Sequence, residues 1–360
     1  MAKRRKADRF RIGLIIYALI LLAAIVFGLR AVYDYLSAYE DSRSSHCLER
    51  YRAEMAQALP QAARDALGDL YPGIHTEEEN ANWAKALLDG AHLYKVASRS
   101  TEDRLLYAVK TADGQQVGTV TLCVTGEDSY GNPLWAVQEE DYDFSAYYQT
   151  REVTVPSDYS VYLGESILGQ DAVTEADIPY ETLKDYYEHY ENLPTMTHYV
   201  GGPFVGDAEI RICDEEGNPV TPEELTESHF LDRCPQEIRD RVDQYVPNFL
   251  YLYVNFSGDA HRTARKYYDQ LQPLLVSGGE LQTRLYQALI NYGYARTQSV
   301  KILSTDIHSV TPLGNDRYLV DLSYETEVTG MGDPVVIQDN IHLVLFDQNG
   351  KLLADSLYIV

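Results

Sequence analysis

The chain has 360 residues, with 55 acids against 30 lysines and arginines, and a formal net charge of −25. That balance repels nucleic acid and anionic lipid headgroups, so no nucleic-acid partner is expected. Four cysteines without a C-x-x-C pair exclude the usual zinc and thioredoxin-like signatures.

The first element is IGLIIYALILLAAIVFGL, Ile12 to Leu29, eighteen residues without a charge and long enough to span a membrane. Lys3, Arg4, Arg5, Lys6, Arg9 and Arg11 precede it, whereas only Arg30 follows before the acids Asp34, Glu40 and Asp41. This asymmetry predicts a cytoplasmic tail (1–11), a single-pass anchor (12–30) and an extracytoplasmic remainder. The core exceeds a signal peptide's about 7–15 residues, and Leu29-Arg30-Ala31 is a poor cleavage site, so an uncleaved anchor is expected. Residues 1–30 hold seven cations and one acid, a net of +6, which leaves −25 − 6 = −31 on the outer part.

The helical pattern continues from Ala31 through Tyr33, Leu36 and Tyr39, predicting a stalk, and resumes over Cys47, Tyr51, Met55 and Leu59. Glu77 to Leu88 reads as a helix with Thr76 as N-cap and Glu79 completing a capping box. Period two then predicts strands near 92–98, 104–111, 116–125 and 133–139, with turns at Asp113-Gly114 and Tyr130-Gly131-Asn132-Pro133. These form an α+β domain over 31–146. A small β-rich module is expected over 150–222, with strands around a Pro-Ser-Asp turn. Within it, 172–181 reads as loop, 183–190 as a helical turn, and 196–199 and 208–213 as strands. After a connector (223–235), a domain over 236–360 opens with a helix from Gln236 to Phe256, which Pro247 should kink or restart. Helices over 260–275 and 280–294 and strands near 299–311, 316–328, 335–346 and 351–359 complete the chain. The fold class is thus α+β: an N-terminal transmembrane helix, then two helix-plus-curved-antiparallel-sheet domains separated by the β-rich module.

Through FLYLYVNFSGDA, VSGGEL, RYLVDLSYETEV and IHLVLFDQNGKLLADSLYIV, the last domain resembles nuclear-transport-factor-two-like (cystatin-like) domains. The first domain looks like a divergent copy, and VTVPSDYSVYL is similar to small Ig-like modules of envelope proteins. The whole resembles bacterial membrane-anchored envelope proteins such as conjugative-transfer channel components, or the non-catalytic extension of penicillin-binding proteins. The resemblance implies helices packed in the concave face of a curved sheet, with a cone-shaped pocket between them that enzymes of the superfamily use.

No catalytic, cofactor-binding or metal-binding residue is assigned: H-E-x-x-H, G-x-S-x-G, S-x-x-K and the P-loop are all missing. His308, Asp321, Glu325, His342 and Asp355 lie on the closing strands. Alternation groups Tyr318, Val320, Leu322 and Tyr324 on one face, and leaves Leu319, Asp321, Ser323 and Glu325 on a second face expected to be solvated. His342, which could point inward, and Tyr253 and Phe249 are the pocket candidates. An extracytoplasmic site permits disulfides; of the three connectivities, pairing within a domain favours Cys47–Cys123 and Cys213–Cys234, with buried free thiols as the alternative. The sequence thus points to a membrane-anchored, non-catalytic scaffold with extracytoplasmic protein partners. The alternative is a small-ligand binder or enzyme using the C-terminal cone.

Overall fold

The computed structural model describes residues 2–258, 263–291, 299–330 and 333–360. Helix α1 (Ala2–Asp41) runs unbroken through the apolar stretch and the predicted stalk. Every position from 12 to 37 is exposed, so no protein core takes up its apolar side chains. By length and composition this helix can cross a membrane. The stalk is its direct continuation.

The chain divides into two compact units, one of residues 1–151, 163–166 and 201–209, the other of 152–162, 167–200 and 210–360. In the first, α2 (Ser44–Gln57), α3 (Gln61–Asp65) and α4 (Glu77–Asp89) precede a sheet of β1 (His92–Lys95), β2 (Arg104–Lys110), β3 (Gln116–Glu127) and β4 (Pro133–Tyr142). The four strands pair antiparallel in sequence order. Cys47, Tyr51 and Met55, spaced by four on α2, pack into one core with Leu105, Tyr107, Val109, Val120 and Leu122 of the sheet. The predicted capping box forms: the Glu79 amide donates to Thr76 Oγ1 (3.2 Å), and the Thr76 amide to Glu79 Oε2 (2.8 Å).

The middle strands are β5 (Gln149–Pro156), β6 (Ser160–Leu163), β7 (Ser166–Ile167), β8 (Val173–Pro179), β9 (Thr195–Phe204) and β10 (Ile210–Cys213). They form two three-stranded sheets, in orders β5-β9-β8 and β10-β6-β7, and their residues are divided between the two units. Strand β8 corrects the expected loop at 172–181. Five of its seven residues are exposed and only Val173 and Ile178 are half-buried, so no apolar alternation marks it.

The second unit contains α5 (Glu227–Leu231), α6 (Gln236–Gly258), α7 (Ala264–Leu271) and α8 (Glu280–Asn291). They accompany an antiparallel sheet of β11 (Ser299–Gly314), β12 (Arg317–Thr329), β13 (Val335–Gln348) and β14 (Lys351–Ile359). Helix α6 does not restart at Pro247. Its neighbour Val246 and the following Phe249 and Leu250 are fully buried, and that packing holds the helix through the lost amide donor. The expected starts and ends of the next two helices, at 260–262 and 292–294, lie outside the described residues.

All four cysteines are free thiols, which corrects both expected bridges. Cys47 shares the core with Leu122, and strand alternation turns the adjacent Cys123 to the opposite face of β3. Cys213 ends β10 in a bridge to Pro219, whereas Cys234 packs against the core of α6 and its sheet.

Candidate functional site

The place to look for chemistry in the second unit is the concave face of its sheet. Side chains of β12 at Val320, Leu322 and Tyr324, and of β13 at Ile341, Leu343 and Leu345, form that face, as period two requires. Opposite them, α6 presents Tyr245, Phe249 and Tyr253, four residues apart and therefore on one stripe of the helix. Their rings form a near-parallel stack, with Tyr245 and Phe249 5.7 Å apart at 14° and Phe249 and Tyr253 5.9 Å apart at 10°. Phe249 and Leu250 are fully buried, and Leu271, Leu281 and Leu285 pack into the same cluster. The hydroxyl of Tyr245 donates to the Leu274 carbonyl (2.7 Å) and accepts from the Ala354 amide (3.0 Å), tying α6 to the place where the segment after α7 bridges to β14.

Burial raises the phenols of Tyr245, Tyr253 and Tyr324 above their ordinary value. They stay protonated near neutrality and cannot serve as general bases there. Phe249 is buried in the cluster between α6 and the sheet, and Tyr253 packs against it, so both act there as filling.

His342 is not in the cone. Ile341 and Leu343 face the helices, so alternation sends His342 to the other side of the sheet. There its Nε2 lies 3.9 Å from Asp321 Oδ1 and its ring 6.0 Å from that of Tyr186. The face expected to be solvated is also partly covered: Leu313, Leu319 and Val344 are buried under Tyr180, Leu183, Tyr186, Leu193, Phe230 and Leu231. Asp321 does lie on this outer face; Asp355 is held by Arg317 Nε (3.1 Å), and His308 Nδ1 stands 3.7 Å from Asp306. The covering residues come from 180–193 and from Phe230 and Leu231, all far upstream, and no local signal on β12 announces them. Among the described residues, no three side chains of His, Cys, Asp or Glu gather as a metal centre needs.

Burial lowers the His342 pKa, against the opposing charges of Asp321 and Asp185. On acidification the unfolded chain, with an imidazole near about 6.5, takes up its proton first. The stability from a neutral His342 is complete above that value and declines as pH falls through it toward the lower folded pKa. The unfolding midpoint of the parent minus that of His342→Gln should therefore shrink between about pH 8 and about pH 5.5. A difference independent of pH would show that the imidazole is not held neutral.

In the first unit, two open grooves flank α2. One, of about 330 Å³, is lined by Glu49, Arg52, Met55, Leu88, Asp89 and Leu93. The other, of about 430 Å³, is lined by Cys47, Arg50, Tyr51, Glu54, Ala136 and Val137. The sequence reading missed both, because they depend on how far α2 stands from α4 and β4.

No family model matches the chain, and no curated protein matches it. A solved structure described as an Ntf2-like protein involved in plasmid conjugation aligns over 75% of this chain and 75% of its own. The identity is 10% and the TM-score 0.24, a likeness too slight to carry an argument about fold or function.

Proposed function

We propose that this chain is a membrane-anchored scaffold or protein-binding protein of the bacterial envelope, with its N-terminus in the cytoplasm and the acidic remainder outside. The observation that carries the non-catalytic reading is the Tyr245–Phe249–Tyr253 stack, which occupies the space a ligand would need in the cone. The exposed apolar run of α1 and the cations before it support the anchor and its orientation. A surface of net −31, by the arithmetic above, keeps the outer part soluble and favours partners that present cations.

Membrane fractionation with an alkaline wash tests the anchor, and protease added to intact cells tests the orientation. The chain is expected to stay in the membrane fraction and to lose everything beyond α1 to external protease. Crosslinking at the outer surface should then capture specific proteins. Release by alkali would refute the anchor; turnover of a small molecule without any captured partner would restore the enzyme reading.

A further inference from the structure

The hairpin between β3 and β4 reaches the stalk. Its tip, Asp128 to Pro133, is held by its own polar groups: Asp128 Oδ1 accepts from the amides of Tyr130 and Asn132, both at 2.8 Å. Gly131 takes a φ of 79°, a turn conformation that costs glycine little. This leaves Tyr130 half exposed at the apex (50%), with Leu134 also exposed beside it. The Tyr130 ring meets that of Tyr35 on α1 edge-on, with centroids 5.5 Å apart.

The position of Tyr35 on α1 sets the depth of this contact. The apolar run of eighteen residues spans about 27 Å, close to the hydrocarbon thickness of about 30 Å. Tyr35 lies six residues beyond Leu29, about 9 Å along the axis. Side chains on a helix lean toward its N-terminus, here toward the membrane, which brings the ring back by part of a turn. The headgroup layer occupies about 5–8 Å outside each face of the hydrocarbon, so Tyr35 and the Tyr130 ring against it fall at that depth. Tyr33, Leu36 and Tyr39 are exposed on the same stretch of helix. Tyrosine suits this layer because its ring is apolar and its hydroxyl reaches water.

We propose that the β3–β4 hairpin tip, led by Tyr130, is a second membrane contact, seated among neutral lipid headgroups beside α1. The proposal rests on α1 being the membrane span. Asp34, Glu127 and Asp128 around the contact disfavour anionic headgroups and select neutral ones. With two points of attachment, the first unit is held at a fixed attitude to the bilayer and does not swing on its stalk.

The test places the photoreactive residue benzoylphenylalanine at position 22, 94 or 130 of the full chain, in place of Leu22, Tyr94 or Tyr130. Each protein is reconstituted in phosphatidylcholine vesicles and irradiated, and lipid adducts are read by mass. Leu22 is inside the apolar run, and Tyr94 is an exposed tyrosine elsewhere in the first unit. Lipid adducts at 22 and 130 with none at 94 are expected. An adduct at 22 but none at 130, or only a protein adduct there, overturns the hairpin contact and leaves the span standing. Equal yields at 94 and 130 overturn it as well, since the tip would then have no privileged access. Loss of adducts at 22 refutes the span, and the hairpin contact with it.

Discussion

Replacing Phe249 by alanine is expected to destabilise the second unit by about 3–5 kcal/mol, the cost of deleting a buried aromatic ring in a core that cannot fully collapse. The ring is fully buried and has a parallel neighbour on each side, Tyr245 and Tyr253. Relaxation is limited on both fronts: Tyr245 is fixed by hydrogen bonds to Leu274 and Ala354, and the sheet opposite is a continuous antiparallel ladder. Phe249→Leu keeps most of the volume and should cost far less, about 1.5 kcal/mol or below. Hydrogen exchange of α6 and β12 amides in the full chain reads the effect within this unit, separately from the first. The result also bears on function. If Phe249→Ala cost under about 1 kcal/mol, the side chain would not be a structural plug, and a ligand-accessible cone would regain its standing.

The position of Phe249 was legible because helical spacing puts Val242, Val246, Phe249, Leu250 and Tyr253 on neighbouring faces of α6, and all but Tyr253 are fully buried. The four closing strands were legible for the parallel reason, since β12 and β13 alternate through their length. The placement of His342 was available too. Ile341 and Leu343 define the concave face, and period two then puts the histidine opposite; the apolar neighbours mark its exclusion from the cone. What could not be read was the cover over that opposite face. Leu319, Asp321, Ser323 and Glu325 spell a solvated pattern, yet Leu319 is fully buried because Tyr180, Leu183 and Phe230 arrive from distant parts of the chain. Strand β8 was illegible for another reason: a strand exposed on both faces has no apolar period to detect. The free thiols follow from alternation and from the separation of Cys213 and Cys234 into different packing environments, neither of which sequence distance reveals.

The second large effect is expected at Arg233, and it is best measured against Tyr180. The Arg233 guanidinium donates from Nε to the Phe230 carbonyl (2.6 Å) and from Nη1 to the Asp158 carboxylate, and lies 5.2 Å from the centre of the Tyr159 ring. Burial would lower the Arg233 pKa, but the hydrogen bond and charge of Asp158 outweigh it and hold the guanidinium above its ordinary value. Truncation removes the fork that joins the Asp158 turn to the end of α5 and leaves Asp158 without its counter-charge. Removing one member of a buried pair costs about 3–5 kcal/mol; with side chains here 24% and 39% exposed, solvent screening reduces that to about 2–3 kcal/mol for Arg233→Ala. Lysine at this position keeps the charge but offers no planar fork, so Arg233→Lys should recover only part of the loss. Tyr180 is a different case. Its ring is fully buried, yet its hydroxyl makes no hydrogen bond among the described residues. Tyr180→Phe keeps the packed ring and removes only that hydroxyl, so a change within about 0.5 kcal/mol, of either sign, is expected. Urea unfolding followed by exchange of the β12 amides compares the three variants. A Tyr180→Phe loss as large as that of Arg233→Ala would mean that the phenol, and not the guanidinium, joins these segments. Near-equal stability of Arg233→Ala and the parent would mean that the apolar cluster of Tyr180, Leu183, Phe230 and Leu319 holds the outer face of the sheet by itself.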